Sequence, residues 1–434
     1  MGTLNPGEDI DATFTELVLI DQQAGNGHSQ KELATQNDPS RGVITGAGEP
    51  QALQQFRRDF PAFDECIYMN LAGRGILSRT TRDALDAGFD DQMMGRVDKS
   101  RWKAAADDAR RLFAGLVNAR PNEIACTKNV SDGLNALATA LPWSPGDNVV
   151  YCPDFDHPNA AYAWLNLGHM GVELRPIPLL AEGRLDIAAI LRATDSRTRL
   201  VTVASVNFVS GIRAELAELG NHCRRAGIFF LVDGAQSTGV LEVDVEEACI
   251  DGWCASGNKG LLGPYGVGFA YCREEIARQL RPVYLSRFGV DAGDLSESEM
   301  GSPQYELYAG ARRFEVGNAN WSGLIAVAAS MRQLGQFAQS TLERRAVDLA
   351  SRLAEGLRDA GFAVPRLERR GLQSHIVAVY RGVHGPARLE RLDQQLCSTH
   401  VAFSRRLGSI RFGLHAYNTE SDVEHVLDLA TRLH

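Results

Sequence analysis

No apolar run in this 434-residue chain approaches the roughly 18 residues that a membrane-crossing helix needs. The first residues have neither the basic start nor the apolar stretch of a secretion signal. Dense Lys/Arg tracts are missing as well, and a formal net charge of −9 makes nucleic acid and anionic membrane surfaces poor partners. The 8 cysteines form no CxxC pair and no ladder of spacings, which argues against a disulfide framework or a zinc site of that type. Cys126, Cys152, Cys254 and Cys272 sit in or beside apolar runs and read as small buried residues. Nucleotide fingerprints fail too. Gly25-Asn-Gly27 has no strand before it and no third glycine, and Gly257-Asn-Lys-Gly260 lacks the spacing and hydroxyl residue of a phosphate-binding loop. A cytoplasmic protein is expected.

What is present belongs to an ordinary globular chain: 44% hydrophobic and 23% charged residues, with length enough for two lobes. Residues 1–50 are polar and aperiodic, and a disordered or loosely packed extension is expected there. Between about 120 and 275, β-rich runs alternate with amphipathic stretches. The strand candidates are 124–127, 148–152, 172–176, 200–204, 228–233, 252–255 and 267–272. Seven strands separated by helices predict an α/β fold built on a mostly parallel seven-stranded sheet covered on both faces. From about 320 a long helix over 323–357 leads to strands near 376–380, 401–404 and 410–414, and a last helix is capped by Thr419 with Asp422. The expected division is a segment 51–70 packing on a small C-terminal α+β domain, a large domain 71–315, and that small domain 316–434.

In open sheets of this kind ligands gather beyond the carboxyl ends of the strands. Two residues there carry the chemistry. Asp233 closes the apolar run Ile228-Phe-Phe-Leu-Val232, with Gln236 just beyond, and Lys259 follows the next apolar segment in Ala255-Ser-Gly-Asn-Lys259. A lysine amine can hold an aldehyde covalently, and a buried acid can keep a pyridine nitrogen protonated; together they suit pyridoxal 5'-phosphate (PLP). A phosphate needs backbone donors at a helix N-terminus. Thr127-Lys-Asn-Val-Ser-Asp-Gly133 offers a strand end followed by a helix that Ser131 opens.

Further motifs follow in order: Asp154-Phe-Asp-His157-Pro-Asn, Val206-Asn207-Phe-Val-Ser-Gly211, Arg313-Phe-Glu-Val-Gly-Asn318, and Ile410-Arg411-Phe-Gly-Leu-His-Ala-Tyr-Asn-Thr419. From about 60 to 430 the chain resembles the class V aminotransferases, fold-type I PLP enzymes that include cysteine desulfurases, isopenicillin N epimerase-like proteins and C–S lyases. The resemblance implies that His157 stacks on the cofactor ring and that Asn207 and Gln236 approach its hydroxyl. Ser256 and the Val130–Ser131 turn would hold the phosphate. Val130 stands where the family usually has a second hydroxyl residue, and Asn258 where it often has His. Asn318 takes a Thr place in a segment that reaches the neighbouring protomer's site, which implies a homodimer. Arg411 would grip the substrate α-carboxylate, with Asn207 beside it.

Cysteine desulfurases carry a nucleophilic cysteine shortly before that arginine, whereas the run 400–409 has none, and Cys397 falls on a predicted helix, where it reads as structural. The expected reaction is therefore β-elimination from an S-substituted L-cysteine conjugate, in a setting such as antibiotic metabolism. Oxidative decarboxylating deamination, transamination and epimerisation remain open alternatives. The aromatic residues Trp102, Tyr284, Phe288, Tyr305 and Tyr308 are candidates to line a wide substrate mouth.

Overall fold

The computed structural model describes residues 44, 48–96, 98–293, 295–367, 370–381 and 386–433; most of the expected N-terminal extension lies outside the described residues. The strands in chain order are β1 (Ile67–Tyr68), β2 (Ile124–Thr127), β3 (Asn148–Tyr151), β4 (Glu173–Pro176), β5 (Thr198–Ala204), β6 (Phe229–Asp233), β7 (Gly252–Ser256), β8 (Gly268–Cys272), β9 (Ile376–Val379), β10 (Val401–Ala402), β11 (Ser404–Arg406) and β12 (Ser409–Gly413). Seven of them form one sheet in the order β2-β8-β7-β6-β5-β3-β4. Strands β6, β7 and β8 are buried at every position. That is the pattern of strands covered on both faces, and it explains their unbroken apolar runs.

The pairings from β4 through β7 are parallel, while β8 runs antiparallel to both β7 and β2. Two reversals cancel, so β2 points the same way as β7. Its carboxyl end therefore lies on the same edge as Asp233 at the end of β6 and Ser256 at the end of β7. A local antiparallel hairpin would have hidden that relation; only the sheet order shows it.

The C-terminal part holds an antiparallel sheet in the order β11-β12-β9, and β10 pairs in parallel with β1. Two expectations need correction here. The predicted long helix over 323–357 is two helices, Trp321–Leu334 and Gln339–Asp359. Gly335 supplies little helix propensity, and Phe337 instead turns inward against Phe56, with ring centroids 5.7 Å apart. The predicted strand 401–404 splits at Phe403, because β10 pairs with β1 while β11 pairs with β12. The final helix, Glu420–Thr431, begins with the expected capping box: Thr419 Oγ1 accepts from the Asp422 N–H at 3.3 Å, and Asp422 Oδ2 accepts from the Thr419 N–H at 3.0 Å. Arg57 donates to both oxygens of Asp422, which ties the segment before β1 to that helix.

Glu315 is buried beside β2. It accepts from Arg110 Nη2 at 2.7 Å and from the Cys126 N–H at 2.8 Å. Without Glu315, Arg110 keeps only the half-exposed Asp107, at 2.6 Å, so Glu315→Ala is expected to lower unfolding free energy by roughly 3 kcal/mol, the low end for a broken buried pair. Urea denaturation checks this; a loss below about 1 kcal/mol would show that the pair is not a structural anchor.

Candidate active site

Asp233 and Lys259 open into the same cavity, of about 390 Å³. The Asp233 carboxylate is fixed by the Ala235 N–H, which donates to Oδ1 at 2.9 Å. Burial raises its pKa, while the Ala235 donor and the charge of Lys259 pull it down. For Lys259 burial acts the other way and lowers the ammonium pKa to about 8; Asp233 opposes this and Arg411 and Arg406 add to it. The lysine turn is braced by a segment that nothing in the sequence marked out. The Gly75 N–H donates to the Asn258 carbonyl at 2.8 Å, and a Cβ at Gly75 would sit 2.5 Å from the Lys259 carbonyl oxygen. Only a residue without a side chain allows that approach. Its neighbours Ala72 and Gly73 line the cavity.

At another part of the wall the helix Val130–Thr139 begins. Val130 and Ser131 line the cavity, but the helix is opened two residues earlier than the sequence suggested. Asn129 is the cap, its Oδ1 accepting from the Asp132 N–H at 2.9 Å. This frees the Ser131 hydroxyl from capping. Ser256 Oγ is buried and has no hydrogen-bond partner, although it too lines the cavity. Asn258 and Gln236 complete that wall, with Gln236 Nε2 donating to the Ala72 carbonyl at 3.1 Å.

His157 caps the helix Pro158–Leu167, and its Nδ1 accepts from the Asn159 N–H at 3.2 Å. The proton of the neutral ring is therefore on Nε2. Burial, then the charges of Lys259, Arg406 and Arg411, lower its pKa to about 4, so the ring is neutral at pH 7. Its edge meets Phe208 at 4.7 Å. Arg411 is 1% exposed. Its Nε donates to Ser404 Oγ at 3.0 Å and its Nη1 to the Phe208 carbonyl, while Nη2 is buried without a partner. Burial, followed by Arg406, lowers its pKa to about 10.

Not every expected residue arrives at the cavity. Asn207 spends its amide locally: Nδ2 donates to the carbonyls of Asp154 and Phe155, and Oδ1 accepts from the Val209 and Ser210 N–H groups. It shapes the turn that carries Phe208 and is not among the residues that line the cavity. Asn318 is exposed and lies at a different cavity of about 290 Å³, which Trp102, Phe288, Tyr308 and Trp321 also line. Trp102 stacks on Trp321 at 5.4 Å. None of the five aromatics expected at a substrate mouth lines the Lys259 cavity; Tyr284 is 75% exposed and Tyr305 40%. Asymmetric placement of these rings depends on packing, which periodicity does not report.

Asp156 was missed. It is 3% exposed, accepts from the Ala204 N–H at 2.8 Å, and burial pushes its pKa to about 8, with Asp233 adding to the rise. Burial raises Asp233 as well, so the two acids press on one another's titration. The Asp-Phe-Asp-His run held the signal, but nothing in it told which acid faces inward.

Held together, these groups fit a phosphorylated, aldehyde-bearing heterocycle. There is an amine for the aldehyde, a buried acid for a ring nitrogen, and a helix N-terminus with the unsatisfied Ser256 hydroxyl for an anion. The family model for aminotransferase class V matches residues 94–426. The chain belongs to the class V aminotransferases. It is a PLP-dependent enzyme of fold-type I.

Similar members can be compared over nearly their whole length. A probable cysteine desulfurase of Methanothermobacter thermautotrophicus is 28% identical over 393 residues, which covers 86% of this chain and 95% of the relative. A cysteine desulfurase of Cronobacter sakazakii is 27% identical over 409 residues, covering 88% and 98%. Among solved structures, the apo cysteine desulfurase of Thermococcus onnurineus NA1 aligns with a TM-score of 0.75 at 25% identity, over 87% of this chain and 97% of that one. The cystine C–S lyase C-DES, in complex with its reaction product cysteine persulfide, aligns with a TM-score of 0.75 at 24% identity, over 86% and 99%; at that identity the likeness speaks to the fold. No described cysteine of this class V enzyme lines the Lys259 cavity. Cys397, expected to be a packed helix residue, is exposed. Arg405 Nη2 donates to its Sγ at 3.2 Å.

Proposed function

We propose that this enzyme cleaves the C–S bond of an S-substituted L-cysteine by β-elimination, without a protein-bound persulfide. The supporting observation is a cavity that combines Lys259, Asp233 and Arg411 and contains no thiol. Cys397 does not substitute. Successive residues of β11 point to opposite faces: Ser404 meets Arg411 and Arg406 lines the cavity, while Arg405 points away from them and holds Cys397. Elsewhere burial pushes the thiol of Cys126 up to about 12, and Cys254 well above its ordinary value, so neither is a nucleophile at neutral pH.

Bound PLP supplies the electron sink for the pair left when the Cα–H bond breaks. Lys259 would hold the cofactor and, as a neutral amine, would take the Cα proton. Asp233 would hold a proton at the ring nitrogen, and neutral His157 lines the same cavity, where it would exclude water from the ring. Arg411 binds the α-carboxylate through its free Nη2 and so fixes which bond faces the ring. With water, the products are a thiol, pyruvate and ammonia. A homodimer belongs to the same proposal: Asn318 is exposed and does not line its own Lys259 cavity, as a residue directed at a partner's site would be. Among the described residues no helix is long and apolar enough to cross a membrane. The relatives lend no support to a place in antibiotic metabolism, and none is proposed.

Incubation with S-ethyl-L-cysteine is expected to release ethanethiol, pyruvate and ammonia in equal amounts. Carbon dioxide with an aldehyde would instead establish oxidative decarboxylation. Mass spectrometry of the protein after incubation with L-cysteine should find no added sulfur on any cysteine; a persulfide on Cys397 would overturn the thiol-free reading.

A further inference from the structure

Arg406 is a cation for which neither the cofactor nor the α-carboxylate accounts. It lines the Lys259 cavity although its own side chain is exposed, and it has no carboxylate partner among the described residues. Its one donated bond is from Nη1 to the neighbouring Arg405 carbonyl, at 2.9 Å. The contrast with Arg405 is direct, since that residue is tied to both oxygens of Asp393.

Its position is set by the backbone. Strands β11 and β12 are joined by Leu407 and Gly408, with φ of 46° and 74°, a two-residue turn whose left-handed conformations suit the strand twist. Ser404 pairs with Arg411 and Arg406 with Ser409. Arg406 is thus the diagonal neighbour of Arg411 on one face, with Cβ atoms about 7–8 Å apart in such a geometry. The charges of Lys259, Arg411 and His157 all respond to Arg406, consistent with a guanidinium that faces into the same space.

The balance of charge at the cavity is uneven. Lys259, Arg406 and Arg411 are its cations other than His157, which is neutral, and Asp233 is its carboxylate. Asp233 and Lys259 serve the cofactor, whose phosphate would fall to the helix N-terminus with Ser131 and Ser256, and Arg411 serves the α-carboxylate. One positive charge remains, beyond Arg411 and toward solvent, where the substituent on sulfur would extend.

We infer that Arg406 is a specificity-determining residue that selects amino acids bearing a second carboxylate on the side chain, as in S-carboxyalkyl-L-cysteines. This rests on the C–S lyase reading for the reaction, but binding tests it without any reaction. The holoenzyme is titrated calorimetrically with L-2-aminoadipate and with L-norleucine. These have similar chain lengths, have no sulfur to eliminate, and differ in the distal charge. The expected result is about tenfold tighter binding of aminoadipate, as one charge-assisted contact provides. Arg406→Gln should reduce that preference to near unity and leave norleucine binding unchanged, while Arg406→Lys keeps part of it. Equal affinities in the wild type, no aminoadipate binding, or a preference that survives Arg406→Gln would each overturn the inference. A failure to release thiol from any S-conjugate would sink the lyase reading and leave this binding result standing, so the two can be told apart.

Discussion

Replacing Lys259 with alanine is expected to lower kcat/KM toward S-ethyl-L-cysteine by at least about 10⁴-fold, the upper range for loss of a positioned acid–base group. Borohydride reduction of the wild-type holoenzyme should leave the cofactor's mass on the peptide containing Lys259, and the variant should show none. A variant that keeps more than about a hundredth of the activity would remove Lys259 from the chemistry. The amine also sets a pH dependence. Only its neutral form can take up the cofactor's aldehyde or a proton. With the pKa lowered to about 8, roughly a tenth of the amine is neutral at pH 7. Capture of PLP by the apoprotein should therefore accelerate as pH rises and level off above about 8. A rate that keeps climbing to pH 10 would mean that burial does not shift this lysine.

Arg411→Ala should weaken binding of the amino-acid substrate by about 100-fold while changing PLP affinity by less than about twofold. The guanidinium is already oriented by Ser404 Oγ and the Phe208 carbonyl, so little freedom is lost when Nη2 gains a carboxylate partner. Arg411→Lys should recover little, because a point charge cannot keep both anchors and still present a planar donor pair. Substrate and PLP titrations on the same preparations check this. Equal losses for both ligands would make Arg411 a structural residue, and thermal melting shows whether the loss of its two anchors has loosened the hairpin.

Much of the site was readable because strand ends are readable. Aliphatic runs buried on both faces leave an unmistakable trace, and Asp233 and Lys259 stand where such runs stop. The capping box at Thr419 and Asp422 was legible for a similar reason, since its chemistry is local. What the sequence did not disclose has a different cause. Asn207 carries the right motif, yet its amide is consumed by neighbouring carbonyls and N–H groups. Asn129 rather than Ser131 caps the phosphate-side helix, and the two compete for one set of backbone donors. Cys397 sits at helical spacing with leucines but faces outward. In each case the residue type was compatible with two partners, and packing chose between them.

By itself the amino-acid order determined the alternation of strands and helices, the acid and amine at the sheet edge, and the lack of a thiol in the run 400–409 before Arg411. These depend on hydrophobic period and on neighbours a few residues away. Only the tertiary structure decided that the turn at Gly75 braces the lysine, that Asp156 is buried with its pKa pushed up by burial and by Asp233, and that Arg406 joins Arg411 on one face while Arg405 turns aside with Cys397. Those outcomes depend on how chain segments distant in sequence exclude water from one another, and burial of that kind has no local signature.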